Sequence, residues 1–202
     1  MAGEHLFTAT VELVSKRGYR DTSVDHIVKA AGVGRVAFYE LYEDKEDCFL
    51  AAFDRIVEEG TEAVAAAVAG AEGWPEEMVA ALDCLLELAA ADPQRARIAL
   101  VEVQAAGPRA YDHYKEVVDR AAPKLRQGRE FSQEAAMLSD ALEEAILGGI
   151  TWIVHQRLAK GELGDPDALV AETIQIALSP YLGDEEAKRL AAATLQDRAL
   201  RN

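Results

Sequence analysis

An all-α chain follows from three observations. Half of the 202 residues are hydrophobic, and alanine and leucine dominate them. Apolar residues recur at spacings of three and four, with almost no alternating apolar and polar runs. Glycine and proline are sparse and sit at a few places that read as breaks between helices. The length allows a real core, as one domain or as a small domain followed by a larger one.

The elements follow in order. A first helix over 3–17 carries Leu6, Thr10, Leu13 and Val14 on one face, and Gly18 ends it. A second begins at Thr22 or Ser23, either of which can cap an orphan N–H. Its Val24, Ile27, Val28 and Ala31 form an i, i+3, i+4, i+7 stripe. Gly32 supplies the positive φ of a tight turn, and Val33 plugs the core beneath it. A third, short helix covers 35–42, with Phe38 and Tyr42 facing inward. A fourth starts near Asp44 and runs towards Ala69. Helices over 74–91 and 94–106 follow, the first closed by Asp92-Pro93 and the second by Gly107-Pro108. Another covers 109–127, where Pro123 is expected to kink or split it. A long helix over 132–160 is then expected, about 43 Å at 1.5 Å per residue. The segment Gly161 to Pro166 ends it, and helices over 167–182 and 184–199 complete the chain.

Residues 22–45 carry the most specific pattern. Two short helices joined by a tight turn are the helix-turn-helix geometry that lays a short helix in the DNA major groove. Tyr39 and Lys45 stand where a hydroxyl and an ammonium reach phosphates. Arg35 is the best base-edge candidate, because a guanidinium can bridge guanine O6 and N7. The plain alternative is an ordinary helical hairpin with a solvated arginine. A GxGxxA match at Gly32 to Ala37 is set aside, because the dinucleotide fingerprint needs a strand before it and a helix precedes it here.

The net charge is −15, which weighs against a nucleic-acid partner. The charge is uneven, however. Residues 1–50 hold six Lys and Arg against nine Asp and Glu, a net of −3. A contacting face must therefore be basic locally. Two cysteines, Cys48 and Cys84, make neither a disulfide framework nor a metal site. No apolar stretch has membrane-spanning length and no signal-peptide pattern opens the chain, so a soluble, cytoplasmic protein is expected. The four histidines lack metal-ligand spacing, and neither a nucleophile elbow nor a P-loop is present. Neither an enzyme nor a cofactor is expected.

Two later stripes suit pairing between subunits. One comprises Leu138, Leu142, Ala145, Gly149 and Ile153. The other comprises Leu169, Val170, Thr173, Ile174, Ala177 and Tyr181. Two such helices per subunit would build a four-helix dimer interface. Packing within one subunit is the competing reading.

Residues 6–53 resemble the N-terminal domain of TetR-family transcriptional regulators. The matching signals are Gly18-Tyr19, Thr22-Ser23-Val24, Ile27, Ala31-Gly32-Val33, Phe38-Tyr39, Tyr42 and Lys45-Glu46. The segment Pro180 to Leu190 is similar to the tail of some actinobacterial members. The resemblance implies a helix-turn-helix DNA-binding domain over 1–47 and a larger helical ligand-binding and dimerisation domain over 48–202. It implies a homodimeric repressor that binds a palindromic operator in double-stranded DNA and is released by a small-molecule effector. Carried over by position, Thr22 or Ser23, Tyr39 and Lys45 touch phosphates, and Arg35, Val36 and Ala37 face bases.

Three departures bear on this. Gly34 replaces the small hydroxyl residue usual at the start of the recognition helix. Glu40 puts a carboxylate where it repels phosphate or accepts from cytosine N4. Only MAGEH precedes Leu6, without the basic residues many members carry there; either the chain is trimmed at its start or affinity rests on fewer phosphate contacts. A ligand-binding or protein-interaction scaffold that has lost specific DNA binding is the alternative function. Effector contacts are sought among Trp74, Met78, Glu102, Tyr111, Tyr114, Met137, Trp152 and His155. Glu102 reads more simply as solvated, or as salt-bridged to Arg97 or another basic residue, and Trp152 with His155 as core or dimer residues.

Overall fold

The computed structural model describes residues 1–161 and 163–201. Glu162, which belongs to the segment expected to end the long helix, and Asn202, the last residue of the expected second domain, lie outside them. Twelve α-helices occur among the described residues: α1 Ala2–Arg17, α2 Val24–Ala31, α3 Arg35–Tyr39, α4 Lys45–Val68, α5 Trp74–Ala91, α6 Pro93–Arg97, α7 Val103–Ala105, α8 Pro108–Arg126, α9 Gln133–Ala136, α10 Leu142–Ala159, α11 Pro166–Leu182 and α12 Asp184–Arg201. A π-helical turn, Ile98–Glu102, joins α6 to α7, and a 3-10 turn, Gln127–Glu130, follows α8. The chain divides into two compact units, residues 1–59 with 92–117, and residues 60–91 with 118–202.

In the first unit α1 is buried on two sides. Leu6 and Ala9 pack with Ile27, Val28, Phe38 and Cys48 to form the helix-turn-helix core. Phe7, Val11 and Val14 pack with Tyr19, Phe49, Phe53, Ile98, Val103 and Ala110 in a second cluster. The two clusters explain why α1 buries Phe7, Ala9 and Val11 besides Leu6, Thr10 and Val14 of the face expected of it. Glu102 is buried beside the second cluster. Its Oε2 accepts the Tyr19 backbone N–H at 2.9 Å, and its Oε1 accepts from Arg97 Nε at 3.1 Å. The carboxylate is thus paired, as a buried charge must be.

In the second unit α11 packs against α12 and α5. A buried carboxylate, Glu143, lies at its centre with no solvent exposure. Arg129 donates to it through Nε (2.7 Å) and Nη2 (3.0 Å), and the Tyr181 hydroxyl donates at 3.1 Å. Arg129 beside it holds the Glu143 carboxyl well below the usual range, at about 2, against the opposing cost of burial. Trp74 packs edge-on against Tyr181 and tilted against Phe131, and its indole N–H donates to the Lys124 carbonyl at 2.7 Å. Gly128 fits against this pair of rings: a Cβ there would sit 2.7 Å from Tyr181 Cγ. Asp83, also buried, accepts from Arg198 and Arg201 and ties α12 to α5.

Two expectations are corrected. The long helix over 132–160 is broken between α9 and α10. Arg129 donates to the carbonyls of Leu138 (2.9 Å) and Ser139 (2.6 Å), and Ser139 Oγ accepts the Ala141 N–H. These bonds take acceptors that a continuous helix would use, and serine competes readily for local backbone. Pro123 does not split its helix. α8 runs through it and ends three residues later in the 3-10 turn, so one missing N–H is absorbed near the helix end.

Candidate nucleic-acid interface

The turn between α2 and α3 is built from local signals. Ser23 caps α2, accepting the His26 N–H, while His26 Nδ1 accepts the Ser23 N–H at 3.2 Å. Ile27 and Val28 are buried beneath the helix. Gly32 takes the left-handed conformation, φ 65°, that ends it. Gly34 opens α3 in an extended conformation with no side-chain cap. Phe38 is fully buried and rests on Tyr39 and Tyr42, so it anchors α3 to the unit.

That anchoring turns the other face of α3 outward. Val36 is 74 % exposed and Tyr39 55 % exposed. Arg35 and Glu40 are also exposed, and Ala37 is half-buried. Of the residues proposed for phosphates, Ser23 and Tyr39 are open. Thr22 is buried, and its hydroxyl donates to the Gly18 carbonyl at 2.8 Å. Lys45 is half-buried and donates to the carbonyls of Tyr19 and Thr22, both at 2.9 Å, with its ammonium 3.9 Å above the Tyr19 ring. Burial lowers the Lys45 pKa, and burial raises that of Tyr19 to about 12. Thr22 and Lys45 therefore hold the loop that leads into α2. Arg17, Arg20 and Lys29 are exposed and form no ion pair among the described residues.

Sequence reading passed over Asp25. It lies on α2, and Arg35 donates to it through Nε (2.6 Å) and Nη2 (2.5 Å). The only available signal was an acid in the first turn of α2 ten residues before an exposed arginine.

The residues sought for an effector are dispersed. Glu102, Tyr111 and Tyr114 belong to the first unit, and Trp74, Met78, Met137, Trp152 and His155 to the second. Glu102 and Trp74 spend their polar atoms on protein partners. Tyr111, Met137 and Trp152 are exposed, and Trp152 stacks on His155 at 5.7 Å. Within the second unit, Met78, Ala81, Leu82, Leu85 and Leu88 share one face of α5, and all of them are half-buried or exposed. A separate cleft of about 860 Å3 is lined by Val79, Ala80, Leu190 and Leu200 with Glu72, Glu76 and Asp197. Among the described residues no group of three or more His, Cys, Asp or Glu could hold a metal ion. Burial pushes the Cys48 thiol up to about 11, which leaves it unreactive.

The stripes assigned to a dimer interface fare differently. Leu169, Val170, Thr173, Ile174, Ala177 and Tyr181 are enclosed within their own chain, because α12 and α5 cover that side of α11. They are not open to a partner in this structure. Ala145 is exposed, and Leu138, Leu142, Gly149 and Ile153 are half-buried. α10 buries Glu143, Ile146, Ile150, Val154 and Leu158 and leaves the opposite face, with Trp152, open.

Residues 6–52 match the family model of bacterial regulatory proteins, tetR family. The fold of the chain is shared by the fatty acid degradation regulator FadR from Bacillus halodurans, with a TM-score of 0.75 at 22 % identity over 87 % of this chain and 94 % of that one. FadR from Bacillus subtilis, solved in complex with stearoyl-CoA, gives 0.72 at 19 % identity over 89 % and 98 %. A regulatory protein of the tetR family from Rhodococcus RHA1 gives 0.72 at 17 % identity over 90 % and 97 %. These likenesses establish the all-α architecture. Among the described residues no helix is long and apolar enough to cross a membrane.

Proposed function

We propose that this protein is a cytoplasmic, homodimeric, ligand-responsive repressor that binds a palindromic operator. The observation that carries the reading is α3, pinned by fully buried Phe38 and presenting Arg35, Val36 and Tyr39 outward. Ser23 and Tyr39 contact phosphates, Arg35 reads a base edge, and Val36 and Ala37 supply apolar contact with thymine methyls. Thr22 and Lys45 act one step back, by fixing the loop before α2. Glu40 disfavours phosphate on its side of α3 and so limits how the helix can seat.

The dimer forms through the open face of α10. Ala145, Gly149, Trp152 and Ile153 lie there, and nothing lies within 4 Å of where a Cβ would stand at Gly148 or Gly149. Two glycines in mid-helix cost roughly 1 kcal/mol each relative to alanine, and close approach of a second α10 offsets that cost. The effector is apolar. This is supported by the open face of α5 formed by Met78, Ala81, Leu82, Leu85 and Leu88. A neighbour of the same fold was solved with stearoyl-CoA, so long-chain acyl thioesters are the first class to screen.

The test is selection of random duplexes by the full chain at two salt concentrations. Enrichment of a palindrome whose binding weakens as salt rises is expected, because phosphate contacts release counterions. Tyr39→Phe should weaken binding to all sequences alike, and Arg35→Ala should flatten preference at particular bases. No enrichment at low salt, by protein freed of bound ligand through unfolding and refolding, would refute the reading and favour a scaffold.

A further inference from the structure

Arg35 is not a loose surface arginine. The guanidinium carries five N–H donors in one plane. Asp25 occupies one edge of that plane, taking the Nε donor at 2.6 Å and a Nη2 donor at 2.5 Å. The opposite end, formed by Nη1 and the second Nη2 hydrogen, has no acceptor among the described residues. Those are the two parallel donors that match O6 and N7 of guanine.

Stability gives no reason for this pair. Both side chains are more than half exposed, and ion pairs so open to water contribute little. The pair does fix direction. Asp25 belongs to α2, whose position is set by the Ser23 cap and by buried Ile27 and Val28. Arg35 belongs to α3, set by buried Phe38. A bidentate bond between two anchored helices removes rotamer freedom that a free arginine would lose on binding DNA. It also keeps a carboxylate close to where phosphates would lie, which weakens binding to every sequence.

We propose that Asp25 is a specificity-determining positioning residue: it holds the end of the Arg35 guanidinium towards one guanine in each operator half-site. The proposal rests on the operator-binding reading above. It gives general affinity up in exchange for discrimination.

The experiment repeats the duplex selection with wild type, Arg35→Ala, Asp25→Asn and Asp25→Ala, all as the full chain, and measures affinity for one fixed non-operator duplex. Arg35→Ala should flatten a guanine preference at one position per half-site, of roughly 5- to 150-fold in wild type. Asp25→Asn should flatten the same position to below about threefold. Preferences elsewhere should stay, and affinity for the non-operator duplex should be equal or higher. A residue that only stabilised the fold would lower affinity for all duplexes together. Thermal unfolding of each variant identifies any that fails to fold, and Asp25→Ala stands in if Asp25→Asn does. Wild-type preference retained or sharpened in the folded Asp25 variants overturns the proposal, as does an Arg35→Ala variant that flattens no guanine. A wild type that enriches no palindrome instead refutes the operator-binding reading itself, and is told apart by failing before any variant is compared.

Discussion

Replacing Glu143 by glutamine keeps its shape and removes its charge. The carboxylate has no solvent exposure and accepts two bonds from Arg129 and one from the Tyr181 hydroxyl. Arg129 has only 15 % of its side chain exposed, so the variant leaves a nearly buried cation without its counter-charge. Breaking a buried pair from one side costs about 3–5 kcal/mol. The depression of the Glu143 pKa by Arg129 gives a second figure from the same contact. That pKa falls from 4.5 to about 2 on folding, which corresponds to about 3 kcal/mol. A depressed carboxylate contributes stability above its unfolded pKa and loses it as pH falls through the folded one. The contribution is therefore whole at neutral pH. About 1.4 kcal/mol of it is gone at about pH 3.5, and most of it by about pH 2. Urea unfolding followed by far-UV circular dichroism at neutral pH and at about pH 3.5 measures both. Glu143→Gln should lose about 3 kcal/mol at neutral pH, a fall in Tm of about 6–12 °C for a chain of this size. The gap between wild type and variant should narrow at the lower pH. A loss under about 1 kcal/mol, or a gap that does not change with pH, would refute the assignment of Glu143 as a charged, buried partner of Arg129.

Two further outcomes follow from the packing. Gly128→Ala drives a methyl group to 2.7 Å from Tyr181 Cγ and into the Trp74 ring; it should cost about 1–3 kcal/mol and shift Trp74 emission, read in a Trp152→Phe background. Glu102→Ala removes the acceptor of the buried Tyr19 N–H; it should cost about 1–3 kcal/mol and speed exchange of that amide, and an unchanged exchange rate would contradict the bond.

The sequence was most legible where the determinants lie close together in the chain. The cap at Ser23, the stripe Val24, Ile27, Val28 and Ala31, the left-handed Gly32 and the anchor Phe38 all fall within sixteen residues. What escaped depends on partners far along the chain. Glu143 looked like any polar residue of an amphipathic helix, because its partners are fourteen and thirty-eight residues away. The break before α10 escaped for the same reason, since Arg129 captures the carbonyls of Leu138 and Ser139 from outside that segment. The α11 stripe was read as half of a dimer interface, with packing inside one subunit as the competing reading. Periodicity says that a face is covered but not by which helix, and here α12 and α5 do it within one chain.

The same ion pairs bear on how so acidic a protein can engage DNA. Outside the helix-turn-helix, Arg55, Arg95, Arg97, Arg109, Arg126, Arg129, Arg157, Arg189, Arg198 and Arg201 are each paired with a carboxylate. These cations knit helices together, and their field is largely cancelled where it arises. Arg17, Arg20 and Lys29 belong to the helix-turn-helix segment and have no such partner among the described residues. The net charge of −15 thus reflects a body of neutralised pairs plus surplus carboxylates. A duplex brought up to α3 meets a local surface less acidic than the total implies. Surplus carboxylates lying more than a Debye length away, about 8 Å at physiological salt, are screened from it. At low salt their repulsion reaches further, so weak non-specific binding there would be a consequence of this charge layout and would leave the specific contacts of α3 intact.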